Sequence, residues 1–192
     1  ASFGPTDIIV IQRRIKLGSV YISDDPFKAL NIFSNIINDL NSNGRLLSSN
    51  KTTIEFAKAH SLTGGIYLSM GSITKATEAT KIAIGIFDSS MSSHQPDNSV
   101  SNDTLELMVK TYEQGVLLFK KSKYTGTEIA RLLSTLGDLY VHVKDYTSAI
   151  VTFEKVLAHQ KMTPDHNNLT ISAILQNIGN CWIEVGEIKK SL

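Results

Sequence analysis

Apolar residues along this 192-residue chain return every three or four positions. Ile32, Phe33, Ile36, Ile37 and Leu40 mark one such run, and Leu132, Leu133, Leu136, Leu139, Tyr140 and Val143 another. That period places side chains on one face of an α-helix, and no stretch alternates convincingly as a half-buried strand would. The prolines agree with this reading. Pro5 and Pro26 precede or open apolar runs, where a missing N–H costs little, and Pro96 and Pro164 lie in polar linkers. Thr52-x-x-Glu55, Asp103-x-x-Glu106 and Thr125-x-x-Glu128 each place an acceptor before a helix and a carboxylate three residues later, the capping-box pattern. The chain is therefore expected to form helices near 6–22, 26–41, 53–70, 73–88, 103–122, 127–142, 146–160 and 169–185, with a stub from about 187. Residues 41–50 and 89–102, the latter holding His94-Gln95-Pro96-Asp97, read as surface loops.

Self-comparison shows a recurring element: a small residue, an aromatic three later, a tight polar junction, then a small and a bulky apolar residue. Its clearest copy has Leu133, Leu136, Gly137, Tyr140, Tyr146, Ala149 and Phe153. Gly137 and Ala149 remove bulk where two antiparallel helices would cross, and Tyr140 and Phe153 fill the space beside them. A second copy has Gly64, Tyr67, Gly71, Ile73, Ala76 and Ala83, with Thr80 where a bulky apolar residue is expected. A third has Leu175, Ile178, Gly179, Trp182, Gly186 and Ile188 and stops before its second helix is complete. In the N-terminal pair Ala29 and Phe33 fit the second helix, which puts Leu17 at the small-residue position and Val20 at the aromatic one.

At this spacing the sequence resembles the tetratricopeptide repeat family, with longer and degenerate units. The positions Leu17, Gly64, Gly137 and Gly179 are 47, 73 and 42 residues apart, longer than the unit of the family it resembles. The 73-residue interval must hold an extra element over 103–122, either one helix or a pair broken near Gln114-Gly115, the single helix being favoured. The resemblance implies an all-α fold, a right-handed α-solenoid of antiparallel helix pairs in one domain spanning 1–192. Its units would be 6–41, 53–88, the extra helix 103–122, 127–160 and an incomplete 169–192. It also implies a protein-interaction scaffold or adaptor whose concave surface, lined by the first helix of each pair, takes up a partner protein or peptide.

Projecting the helical period from each glycine puts Lys58, Ser61 and Leu68 on that surface, then Arg131, Ser134, Asp138, Val141 and His142, then Gln176, Asn180, Ile183 and Glu184. The best-known subset of the family clamps acidic chaperone tails with Lys, Asn and Arg. Here Ser134 and Asp138, and in the preceding copy Ser61 and Gly65, stand where the first Lys and Asn should. Carboxylate-clamp binding is therefore not expected. Asp138 and His142, one turn apart, form the sharpest pair, with Arg131 two turns earlier. The ordinary reading is a solvated pair; the alternatives are a partner contact or, in an all-helical hydrolase-like enzyme, a pocket around His142. No nucleophile is suitably spaced, so a non-enzyme is expected.

Composition narrows the partners. Nineteen Lys and Arg against 18 Asp and Glu give a net charge of +1, too little to steer nucleic acid. Arg13, Arg14 and Lys16 on the first helix could meet an acidic partner but read first as an ordinary charged face, and Lys120, Lys121 and Lys123 either dock a partner or complement a helix C-terminus. The one cysteine, Cys181, rules out an intramolecular disulfide and reads as a small core residue beside Trp182. Five scattered histidines give no metal-ligand spacing, and no cofactor or metal is expected. Sequons at Asn50, Asn102 and Asn168 are about what chance provides. The opening Ala1-Ser2-Phe3-Gly4-Pro5 is unlike a signal peptide, and Leu169–Ile183 is too short and polar to span a bilayer. The expectation is a piece of a longer intracellular chain, cytoplasmic or organelle-associated and not secreted, with an apolar C-terminal end that invites self-association.

Overall fold

The computed structural model describes residue 4 and residues 7–42, 50–92, 100–122, 124–162 and 168–186. They form eight helices and no strand: α1 (Ile8–Asp24), α2 (Pro26–Ser42), α3 (Asn50–Ser69), α4 (Ile73–Ser92), α5 (Asn102–Lys121), α6 (Gly126–His142), α7 (Tyr146–Met162) and α8 (Asn168–Glu184). The fold is all-α, of helical-repeat type. The chain divides into two compact units, 1–100 and 101–192.

In the first unit α1 packs on α2, α2 on α3 and α3 on α4, and α3 also touches α1. Consecutive helices joined by one to three residues and packed together must run antiparallel. Ile11, Ile15, Ala29, Phe33, Ile36, Leu40, Phe56, Ala59 and Ile66 form one continuous core. Being packed by three helices, α3 buries polar as well as apolar positions, including Thr52, Glu55, His60, Ser61 and Thr63. In the second unit α6 packs on α5 and α7, and α8 on α7. Its core is built around Tyr112, Leu118, Leu132, Leu139 and Phe153.

The joint expected from Gly137 is present. A methyl group at Gly137 would lie 2.5 Å from Cε1 and 2.8 Å from Cδ1 and Cζ of Phe153, so the ring lies directly on bare backbone. Fully burying such a ring contributes about 2–3 kcal/mol, which the glycine makes available by letting the ring in. The same joint occurs in the first unit, but not where expected. The residue under Phe33 is Gly18, whose added Cβ would sit 2.6 Å from the ring, whereas Leu17 is half exposed and Val20 more so. The small–x–x–aromatic pair is therefore Gly18 and Tyr21. Counting back from Ala29 at the spacing of the other copies lands one residue short, because the first turn is one residue shorter.

That missing residue is visible in the turns. At α6–α7 the Lys144 N–H donates to the Val141 carbonyl, Asp145 to Tyr140 and Ala149 to Asp145; at α3–α4 Gly71 donates to Leu68, Ser72 to Tyr67 and Ala76 to Ser72. Both turns pass through one left-handed residue, Lys144 at φ +62° and Gly71 at φ +74°. In the first turn Asp25 donates straight to Tyr21 and Ala29 to Asp25, with no left-handed residue between. Asp25 and Asp145 then cap the helices that follow, accepting from the backbone N–H of Lys28 at 3.0 Å and Ser148 at 3.1 Å.

Other expectations divide. Thr125 and Glu128 form a full capping box. The other two do not. α3 starts at Asn50, so Thr52 and Glu55 lie inside it, and Glu55 is instead a buried acceptor. α5 is capped by Ser101, whose Oγ accepts from the Thr104 N–H, so Asp103 falls in the first turn. Residues 103–122 form one helix rather than a broken pair, with Gly115 buried inside it, and that helix is paired with α6. Thr80, where a bulky residue was expected, is fully buried among the small residues Ala76, Ala79 and Ala83 of its helix. Lys123, Ile188, the stub from 187 and the loop centred on His94 lie outside the described residues. No helix among the described residues is long and apolar enough to cross a membrane.

Candidate partner-binding face

The face begins with the start of α6. The Thr125 side chain accepts from the Glu128 N–H at 3.3 Å, and Glu128 Oε2 accepts from the Thr125 N–H at 2.9 Å. With that end fixed, the helical period turns Leu132, Leu133, Leu136 and Leu139 inward and leaves Arg131, Asp138 and His142 exposed, with Ser134 and Val141 half-buried. α8 repeats the division. Ile174 and Cys181 are buried, and Gln176, Asn180, Ile183 and Glu184 are exposed on other sides of the helix.

Electrostatics ties the two helices together near their C-terminal ends. Although the residue is exposed overall, partial desolvation of its carboxyl pushes Asp138 above its ordinary range, and the His142 imidazole opposes that rise. Burial also raises the Cys181 thiol, and the carboxylates of Asp138 and Glu184 raise it further. Tyr146, opening α7, is raised by desolvation first and then by Glu184, to which its phenol donates a hydrogen bond. Asp138 on α6 and Glu184 on α8 thus flank one buried thiol. That thiol is held protonated, the opposite of what a nucleophilic cysteine requires. What the arrangement does offer is two carboxylates for a cationic group, side-chain amides at Gln176 and Asn180, and apolar contact at Val141 and Ile183.

At the other end of the same aromatic position, the Tyr140 hydroxyl donates to Glu113 of α5. Burial first, then Glu113 and Asp145, push its phenol upward. Tyr140 is therefore a strut between α5 and α6 and is not part of the open face.

The three first-unit residues expected on this surface divide. Ser61 is 5% exposed and so is a core residue, which corrects its assignment to a contact surface. Lys58 is partly buried and its ammonium lies 2.9 Å from Glu55 Oε1, which also accepts from Gln12 Nε2 of α1 at 3.2 Å. Leu68 is half-buried. For Lys58 the cause is local: Glu55, which also holds Gln12 of α1, draws its ammonium in; Ser61 lies on a helix packed by α1, α2 and α4. Residues that sequence reasoning missed are Tyr146, which turns from a helix start into the partner of Glu184, and His60, buried against Phe56 in edge-to-face contact with ring centroids 4.7 Å apart. The signal for the missed Gly18 was present: Gly18-x-x-Tyr21 matches Gly64-x-x-Tyr67, Gly137-x-x-Tyr140 and Gly179-x-x-Trp182.

No protein-family model matches the sequence. A search of curated proteins returns no match. Among solved structures the chain is similar to the crystal structure of BtubC (BKLC) from P. vanneervenii, at 16% identity and a TM-score of 0.39, covering 96% of this chain and 85% of that one. It is also similar to the crystal structure of MamA protein, at 14% identity and a TM-score of 0.32, covering 98% of this chain and 87% of that one. At such scores neither adds to what the helices themselves show.

Proposed function

We propose that the chain is a non-catalytic binding module of tetratricopeptide type, which holds a segment of a partner protein on the α6–α8 face. It would recruit that partner to a larger complex in the cytoplasm or at an organelle surface. One observation supports this most directly. α6 and α8 carry the same small–x–x–aromatic spacing, Gly137 with Tyr140 and Gly179 with Trp182, each followed seven residues after the glycine by a left-handed residue, Lys144 and Gly186. Both turn mixed polar and apolar side chains outward. Repetition of a small–aromatic motif with variation of the outward residues is what a scaffold needs, since fold and specificity then reside in different positions.

A photo-crosslinking amino acid at Asn180, on the face, should capture a discrete partner in cells, whereas one at Lys155, exposed on α7, should not. Equal labelling from both positions would overturn the reading. The acidic character of Asp138 and Glu184 also favours cationic over anionic guests. Calorimetric titration with an acidic chaperone-tail peptide should show no binding in the low-micromolar range, and such binding would count against the proposed polarity.

A further inference from the structure

We propose that the guest of this face is α1 of a second copy of the same chain, an inference that rests on the binding reading above. On α1 the side opposite the core is unusual. Ile11, Ile15 and Gly18 point into the first unit, and on the other side Ile9 (45% exposed), Leu17 (50%) and Val20 (68%) stand in solvent with Arg13 and Lys16 among them. At about 100° per residue these five fall within roughly 100° of arc, a single stripe. Arg13 and Lys16 make no ion pair among the described residues, unlike Arg14, which is bound to Asp39 at 2.7 Å. A solvent-facing stripe of three large apolar residues and two uncommitted cations is an interaction surface seeking apolar contact and negative charge.

The α6–α8 face supplies both, in Ile183 and Val141 and in Asp138 and Glu184. The order of charges along the helices also agrees. From Lys16 to Asp24 is eight residues of α1, about 12 Å at 1.5 Å per residue, and from Arg131 to Asp138 is seven residues of α6, about 10 Å. An antiparallel α1 can therefore set its basic residues against Asp138 and Glu184 while Asp24 comes level with Arg131. The two surfaces differ, so the contact is heterologous, and successive copies extend or close into rings. One helix face is a small interface, which makes the association weak and salt-sensitive.

Sedimentation of the whole chain across micromolar to hundreds of micromolar concentration tests this. The average mass should rise with concentration and fall again with added salt. R13E/K16E and D138K/E184K, each confirmed folded by circular dichroism, should each weaken association by about tenfold or more through like-charge contact. Mixing the two variants should restore it, because every interface between unlike copies is again opposite in charge. Val20→Asp, a surface change on α1 alone, should weaken association as well. A wild-type chain that stays monomeric throughout, variants that associate as the wild type does, or a mixture without rescue would each overturn the proposal. A monomeric chain that still captures another protein at Asn180 would sink the self-pairing and leave the binding reading standing. Loss of both would sink both.

Discussion

Replacing Gly137 by alanine is the most direct test of how the repeat joint works. In an exposed helix interior, glycine to alanine stabilises by about 1 kcal/mol, since alanine loses less backbone freedom on folding. At Gly137 the new methyl would meet three ring carbons of Phe153 at 2.5–2.8 Å. Carbon atoms rest at about 3.5–4.0 Å, so the ring must retreat by about 1 Å. Phe153 is fully buried, so its ring can retreat only by displacing its neighbours. Overpacking of this kind costs about 1–3 kcal/mol, and at a contact this short the upper part of that range applies. Offset by the helix-propensity gain, the net loss is about 1–2 kcal/mol. For a chain of this size that lowers Tm by about 2–8 °C. Urea titration followed by circular dichroism measures it, with Gly85→Ala as the control because a Cβ there meets nothing within 4 Å. Gly85→Ala should stabilise while Gly137→Ala destabilises. In a Phe153→Leu background, which removes the Cε and Cζ atoms, most of the Gly137→Ala penalty should vanish, giving a coupling of about 1 kcal/mol or more. If Gly137→Ala stabilised the chain as Gly85→Ala does, or cost the same with and without the ring, the joint would not depend on ring-on-glycine packing.

Other predictions concern the first unit. Gly18→Ala should destabilise by a similar about 1–2 kcal/mol through Phe33, whereas Leu17→Ala should change the urea midpoint little; the reverse order would restore the register counted from Ala29. His60, neutral in the fold down to about pH 4 because burial disfavours its charged form, takes a proton near its ordinary 6.5 when unfolded. Its contribution is therefore complete above pH 6.5 and is lost as pH falls towards 4, by roughly 3 kcal/mol at about 1.4 kcal/mol per pH unit. Comparing the wild type with His60→Leu at pH 7 and pH 4.5 isolates this from the carboxylates, and equal pH dependence would refute it. Glu55→Ala should cost about 1–3 kcal/mol by leaving Gln12 and the partly buried Lys58 without their common acceptor; an unchanged unfolding midpoint would show that water replaces it freely.

Much of the fold was legible along the chain because its causes are local. The period of Leu132, Leu133, Leu136 and Leu139 makes α6 a helix with one buried side, and the box at Thr125 and Glu128 fixes its start regardless of neighbours. Gly137 announced its joint because a glycine there, three residues before a tyrosine, has a steric purpose that sequence spacing can express. The capping pattern at Thr52 and Glu55 misled for the complementary reason. The same residue types serve inside a helix when a neighbour needs an acceptor, and Gln12, 43 residues away, is such a neighbour.

What the sequence determined by itself, then, was the helical period, the repeated small–aromatic joint, and the mixed character of Asp138, His142, Asn180 and Glu184. Tertiary structure decided which of those residues are open and which are used up. Ser61 and Lys58 carry the same spacing as residues of the α6 face, yet α1 lies against their helix and only the packed structure reveals it. Register was decided there too. One residue removed from the α1–α2 turn moves the joint from Leu17 to Gly18, and only the ring of Phe33 lying on Gly18 fixes which of the two is the pivot. Periodicity is set by bonds between near neighbours, whereas exposure and register depend on atoms that meet only after the chain has folded.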